Sequence, residues 1–199
     1  RQYVDGTIAP HILGRVSGIH ASAYEAEKVK LAEALQKAEE EGASDDEIAA
    51  IKRNAYTIND DYGNSGIEGV MESYLRGTRG VKTVYVTSDG KVSEDYTVTP
   101  KQGGTVILTI DTDLQKVAQN SLKKRVESLS VDSDLPYAAA AVIVQNVNTG
   151  EILACATYPS YDNDTWSENY STWAADSTNP LWNRALMSTY EPGSTFKPA

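Results

Sequence analysis

At 199 residues the chain is long enough for one full domain or two small ones and too short for a large multidomain enzyme. Its 40% hydrophobic and 23% charged residues suit a packed, folded protein. The 28 acidic residues against 18 basic ones, a net charge of −10, argue against a nucleic-acid or anionic-membrane surface.

Residues Ser22 to about Glu41 are nearly all strong helix formers, with Val29, Leu31, Ala34, Leu35 and Ala38 as a narrow apolar stripe. Gly42 ends this helix, and Ser44-Asp45-Asp46-Glu47 is a capping box that opens a second one running to about Tyr56. A helical hairpin follows, its dense charge read as a solvated face rather than a partner-binding one. Tyr62–Gly66 is a turn, and Ile67–Leu75 a short helix ending at Arg76-Gly77. The period then changes to two: Val81–Thr87 and Val92–Val98 alternate around the turn Ser88–Lys91, which predicts a β-hairpin. Beyond Gly103-Gly104, the β-branched run Thr105–Ile110 predicts a strand.

Asp111 or Thr112 caps a helix whose apolar positions Leu114, Val117, Ala118, Leu122 and Val126 keep helical spacing to about Leu129. A polar linker, Ser130–Leu135, leads to the apolar runs Ala138–Gln145 and Glu151–Tyr158, which predict a largely buried antiparallel hairpin. The single cysteine, Cys155, excludes an internal disulfide and reads here as core filling rather than as a nucleophile. From Pro159 to Pro180 the composition turns to Asn, Asp, Ser and Thr with Trp166 and Trp173, and Trp182 follows just beyond. This reads as an irregular segment, either the rim of a cleft or a surface packed under its own tryptophans. No window reaches the ~18 apolar residues of a membrane span, and no signal-peptide pattern stands at the start. The chain is either cytosolic or the soluble part of a protein anchored elsewhere.

The pattern Ser-x-x-Lys occurs at Ser88–Lys91, Ser121–Lys124 and Ser194–Lys197. The first falls in a predicted turn and the second within a helix, where both side chains meet solvent. The third follows Pro192-Gly193, so Ser194 stands at the first turn of a helix, where unpaired N–H groups favour developing negative charge and Lys197 returns to the same face. A serine hydroxyl becomes a nucleophile when a base takes its proton, and a lysine does so when its environment lowers its pKa. The bland alternative is a Pro-Gly turn with an exposed serine and lysine.

Around this motif, Asn183-Arg184-Ala185 with Tyr190–Lys197 resembles the approach to the active serine of class B penicillin-binding proteins, a family that shares Ser-x-x-Lys. Thr149–Ala154 with Pro159–Asp162 resembles that family's first central hairpin, and Leu108–Asp111 with Leu114-Gln115 its entry to the catalytic domain. Gly63–Glu68 and Tyr74–Gly77 are similar to the signature of its non-catalytic pedestal, or dimerisation domain. Arg1, Tyr3, Gly6, Ala9, His11, Leu13 and Gly14 fit its opening pattern, which makes His11 a structural residue. Val4 departs from a usual proline there.

The resemblance implies an α+β fold: residues 1–104 as a pedestal of a helical hairpin plus β-hairpins, and 105–199 as the first part of a transpeptidase domain, a helix plus a central antiparallel hairpin. It implies a peptidoglycan D,D-transpeptidase with Ser194 and Lys197 as catalytic residues and with no cofactor or metal. Its partners would be stem peptides ending in D-Ala-D-Ala, β-lactams and other cell-wall synthesis proteins, the last through the pedestal. No nucleic acid is expected, and membrane contact only through an N-terminal anchor outside this chain, at the extracytoplasmic face of a bacterial membrane. The family's Ser-x-Asn and Lys-Thr-Gly motifs would fall beyond Ala199, so the chain is expected to be an inactive fragment. The alternative is a non-catalytic positioning or protein-interaction module. A β-lactam sensor or serine β-lactamase also shares Ser-x-x-Lys, but lacks the pedestal signature.

Overall fold

The computed structural model describes residues 3–132 and 139–191. In chain order, α1 (Pro10–Leu13) precedes β1 (Val16–Gly18), α2 (Ala21–Glu40), α3 (Asp45–Asn54), β2 (Asp61–Gly63), α4 (Gly66–Val70), α5 (Glu72–Leu75), β3 (Val81–Val86) and β4 (Val92–Val98). Then come α6 (Thr112–Asp132), β5 (Ala140–Gln145), β6 (Ile152–Tyr158), α7 (Trp166–Ala175) and α8 (Arg184–Met187). The mixed helix and strand content is that of the expected α+β class. No helix among the described residues is long and apolar enough to cross a membrane. The chain divides into two compact units: Arg15–Val106, and Arg1–Gly14 together with Ile107–Ala199.

In the first of these, local sequence determines the helical pair. Ser44 N-caps α3 and Glu47 reaches back to the Ser44 N–H at 2.8 Å, the two halves of a capping box. The contact face of α2 is narrower than the apolar stripe suggested: Leu31 and Leu35 are half-buried and Ala38 buried, whereas Val29 and Ala34 face solvent. Its charged face is solvated, with exposed i,i+3 pairs such as Lys28–Glu25 at 3.0 Å.

The glycine-rich and Leu-Arg-Gly stretches meet at one buried carboxylate. Glu72 is 8% exposed and accepts from Tyr56 Oη at 2.7 Å and from the Gly63 N–H at 3.0 Å. Arg76 lies on the Tyr56 ring, its Cζ 3.4 Å from the centroid, and donates to Asn54 O at 2.8 Å. Glu72 thus links Tyr56, just past α3, to β2, while Arg76 holds the last residue of α3. The single helix expected over Ile67–Leu75 is two, because Met71, at φ −103°, leaves helical geometry. Strands β1 and β2 went unforeseen: each has three residues, too few to show a period.

β3 and β4 form the expected hairpin in antiparallel register. Directly opposed residues share a face, so Val84, Val86, Val92 and Tyr96 stand together beside a Lys82–Glu94 ion pair, while Thr83 and Thr97 bond across the other face at 3.0 Å.

In the other unit α6 packs on β6; Gln115 and Val126 are buried on the helix and Ala154, Cys155 and Ala156 on the strand. β5 and β6 pair from Ala140↔Tyr158 to Gln145↔Ile152 around a turn closed by Gly150 at φ +79°. The hairpin is less buried than expected. β6 is enclosed, whereas β5 is partly open, with Ile143 46% exposed. Cys155 sits in the core, and burial pushes its thiol pKa up.

Two further expectations are corrected. Thr105–Ile110 is extended but forms no strand: its residues alternate in burial, yet the backbone joins β6 through one bond, Asp111 N–H to Leu153 O at 2.9 Å. A β-branched run supplies the pleat, but a strand needs a ladder. The segment after Pro159 is not irregular throughout, since Trp166–Ala175 is a helix. Its Asn, Ser, Thr and Trp residues are mediocre helix formers, and packing overrides that preference. Trp166 and Trp173 close on Tyr161, with ring centroids 5.2 and 5.8 Å away, so the tryptophans cover their own segment.

Candidate functional site

Ser194 and Lys197 lie outside the described residues, and the structure shows the segment that leads to them. Asn183 N-caps α8, its Oδ1 accepting from the Leu186 N–H at 3.2 Å. Arg184 donates to Asn179 O at 2.9 Å and to Thr178 O, which fastens the preceding turn. The Ala185 N–H reaches Thr157 Oγ1 on β6 at 3.4 Å, and Trp182 Nε1 donates to Ser188 Oγ at 2.9 Å. The end of α8 and residues 189–191 are open to solvent, with Met187 59% and Tyr190 62% exposed.

Residues 3–14 form a strap over this unit. Gly6 is pinned from both sides: its N–H donates to Asp164 Oδ2 at 2.9 Å, and its carbonyl accepts from the Asn163 N–H at 3.0 Å. A Cβ there would stand 2.5 Å from Asp164 N, so only glycine fits. Tyr161 Oη donates to Pro10 O at 3.1 Å and Asn163 Nδ2 to Gly14 O at 3.0 Å. Gln119, on α6, accepts from the Ala9 N–H at 3.1 Å and donates to Thr7 O at 2.8 Å.

His11 joins strap and approach segment. Its Nε2 lies 2.8 Å from Pro180 O, and because a carbonyl only accepts, the proton is on Nε2. Its own carbonyl accepts from Asn183 Nδ2 at 3.3 Å, and its ring meets Tyr161 edge-on at 4.7 Å between centroids. Burial lowers its pKa to about 4, opposed by the bond to Pro180 and assisted by the Arg184 charge, so the imidazole is neutral at pH 7. His11 thus has a structural part in this network. No cluster of three or more His, Cys, Asp or Glu side chains suited to a metal occurs among the described residues.

The other two Ser-x-x-Lys matches have no enclosed setting. Ser88 and Lys91 are exposed around the β3–β4 turn, and Ser121 and Lys124 are exposed on α6. The strap was legible only as a list of residues: nothing in Tyr3–Gly14 announces partners some 150 positions away. Gln115 and Asn183 were likewise noted without a role; a glutamine in the apolar row of α6 was the available signal.

Comparison with known proteins accords with these features. The Penicillin-binding Protein dimerisation domain matches residues 1–109, and the Penicillin binding protein transpeptidase domain matches residues 140–199. Peptidoglycan D,D-transpeptidase MrdA of Escherichia coli (strain K12) is 35% identical over 149 residues, 72% of this chain and 22% of that protein. MrdA of Haemophilus influenzae is 30% identical over 208 residues, 100% of this chain and 26% of that protein. The crystal structure of Penicillin Binding Protein 2X from Streptococcus thermophilus superposes with a TM-score of 0.58 at 25% identity, covering 96% of this chain and 22% of that one. The chain thus spans about a quarter of the length of these relatives. With the dimerisation-domain match over more than half its residues and the transpeptidase match after it, the chain belongs to the class B penicillin-binding proteins.

Proposed function

We propose that this chain is part of a peptidoglycan D,D-transpeptidase in which Ser194 is the acylated nucleophile and Lys197 its base. The observation that carries this reading is the transpeptidase-domain match over residues 140–199, which includes the third Ser-x-x-Lys. Ser194 Oγ attacks the carbonyl of the penultimate D-alanine of a stem peptide while Lys197 takes the hydroxyl proton. Backbone N–H groups, Ser194's own among them, stabilise the oxyanion. Collapse breaks the C–N bond, the departing D-alanine takes the proton from Lys197, and an acyl-enzyme ester remains. An amine of a neighbouring stem then attacks the ester, forming the cross-link and freeing Ser194. A β-lactam opens on the same oxygen and leaves slowly. The chemistry calls for no cofactor.

In this reading residues 1–104 are the pedestal and 105–199 the first part of the transpeptidase domain, at the extracytoplasmic face of a bacterial membrane. The 199-residue chain alone is expected not to turn over, since no Ser-x-Asn follows Ser194 and Lys-Thr-Gly does not occur in it. A second reading, a positioning module that contacts other cell-wall synthesis proteins, is favoured by residues Arg15–Val106 forming a compact unit of their own.

Intact-mass spectrometry of the longer protein that this reading requires, with and without benzylpenicillin, tests it. One adduct per chain that disappears in Ser194→Ala is the expected result. No adduct on the folded protein overturns the transpeptidase reading and leaves the positioning module.

A further inference from the structure

We propose that the strap Tyr3–Gly14 is a positioning element for acylation, acting through His11 and Asn183 on the segment that delivers Ser194. This rests on the transpeptidase reading above. His11 grips the approach segment twice, through its ring to Pro180 O at 2.8 Å and through its carbonyl from Asn183 Nδ2 at 3.3 Å. Asn183 is also the N-cap of α8, so one side chain ties the strap to the helix that begins there. Ser194 follows Asn183 by eleven positions, and the described residues between α8 and Glu191 are mostly exposed. The clasp, the Ala185–Thr157 bond and the Trp182–Ser188 bond together set the direction in which the chain leaves α8.

The strap has a fixed reference of its own. Gln115 bonds the backbone of Cys155 in the buried centre of β6, donates to Gln119 at 2.9 Å, and Gln119 holds Thr7 and Ala9. A continuous line of hydrogen bonds therefore runs from β6 through α6 and the strap to Pro180 and Asn183. Thr157, on β6 itself, meets Ala185 from the other side. The sheet is thus gauged against the approach segment by two routes, one of them the strap. A nucleophile needs this registration, because a misplacement of about 1 Å costs on the order of 100-fold in rate.

The test uses the full-length protein and a fluorescent penicillin, with stopped-flow measurement of the acylation rate constant k2 and the binding constant Ks. His11→Phe keeps the ring packing and removes the bond to Pro180. Asn183→Asp keeps the N-cap acceptor and removes the donor to the His11 carbonyl. Each is expected to lower k2 about tenfold or more with Ks within twofold of wild type. His11→Gln, which keeps an N–H at similar reach, is expected to restore most of k2. Ser44→Ala, a destabilising change in the other unit, should leave k2 unaltered. Wild-type k2 in folded His11→Phe and Asn183→Asp overturns the inference while acylation itself stands, and a rise in Ks with unchanged k2 overturns it too. If His11→Phe does not fold, Asn183→Asp decides. Absence of acylation in the wild type overturns the transpeptidase reading, and this inference with it.

Discussion

The carboxamide of Gln115 closes a ring of two hydrogen bonds on the backbone of Cys155. Its Nε2 donates to Cys155 O at 2.9 Å and its Oε1 accepts from the Cys155 N–H at 2.7 Å. The side chain is 0% exposed, and so behaves as one residue of a neighbouring strand laid against β6. Both backbone groups lie where water cannot replace the partner, which makes this contact expensive to lose.

Gln115→Ala is accordingly expected to destabilise the unit containing α6 and β6 by about 2–4 kcal/mol, read from urea unfolding followed by tryptophan fluorescence. Gln115→Glu adds a pH signature. Its ionised carboxylate faces the Cys155 carbonyl, so the introduced group has a folded-state pKa above the unfolded ~4.3. The variant is then closest to wild type below pH 4 and loses stability as pH rises through the folded pKa. A loss independent of pH would contradict this.

His11 imposes the opposite dependence on the native protein. Its folded pKa, about 4, is below its ordinary 6.5, so protonation favours the unfolded chain. The contribution is intact above pH 6.5 and declines as pH falls from there through about 4, by roughly 3 kcal/mol at most. Unfolding of wild type and His11→Phe between pH 8 and pH 4 checks it: the difference in their pH slopes should be present between 6.5 and about 4 and vanish toward pH 8.

Ser44→Ala removes one half of the capping box on α3 and is expected to cost about 1 kcal/mol, with less helical signal in circular dichroism. Ser44→Asp should restore most of it, since the carboxylate accepts the same Glu47 N–H and suits the helix N-terminus.

Gly77 stands at φ +74°, and a Cβ there would come within 2.6 Å of Gly103 N. The neighbouring bridge, Thr78 N–H to Lys101 O at 2.9 Å and Lys101 N–H to Thr78 O at 3.1 Å, closes the base of the β3–β4 hairpin. Gly77→Ala is expected to lose about 2 kcal/mol or more and to expose the hairpin to limited proteolysis. Gly42→Ala, also at positive φ but in open space, should cost less.

Much of the framework is local and was legible in the residues themselves. The stop at Gly42, the Ser44–Glu47 box, the alternation around Ser88–Lys91 and the Asp111 cap, whose Oδ1 accepts from Leu114 N–H at 2.9 Å, each depend on neighbours within a few positions. Spacing alone did not single out the Ser194–Lys197 pair, one of three Ser-x-x-Lys matches; the Pro192-Gly193 context and the family resemblance around it did.

What needed the tertiary structure is every feature whose partner is distant in sequence. Thr105–Ile110 has strand composition without a ladder, and Trp166–Ala175 is a helix because Tyr161 packs its tryptophans. The strap residues gain their places from bonds to positions 110 to 172 away. The sequence by itself determined turns, caps and periods, since backbone preference and hydrogen bonds over one turn are encoded side by side. Only the folded chain decided what Gln115, His11 and Asn183 hold, because a buried polar group takes whichever partner packing brings within 3 Å.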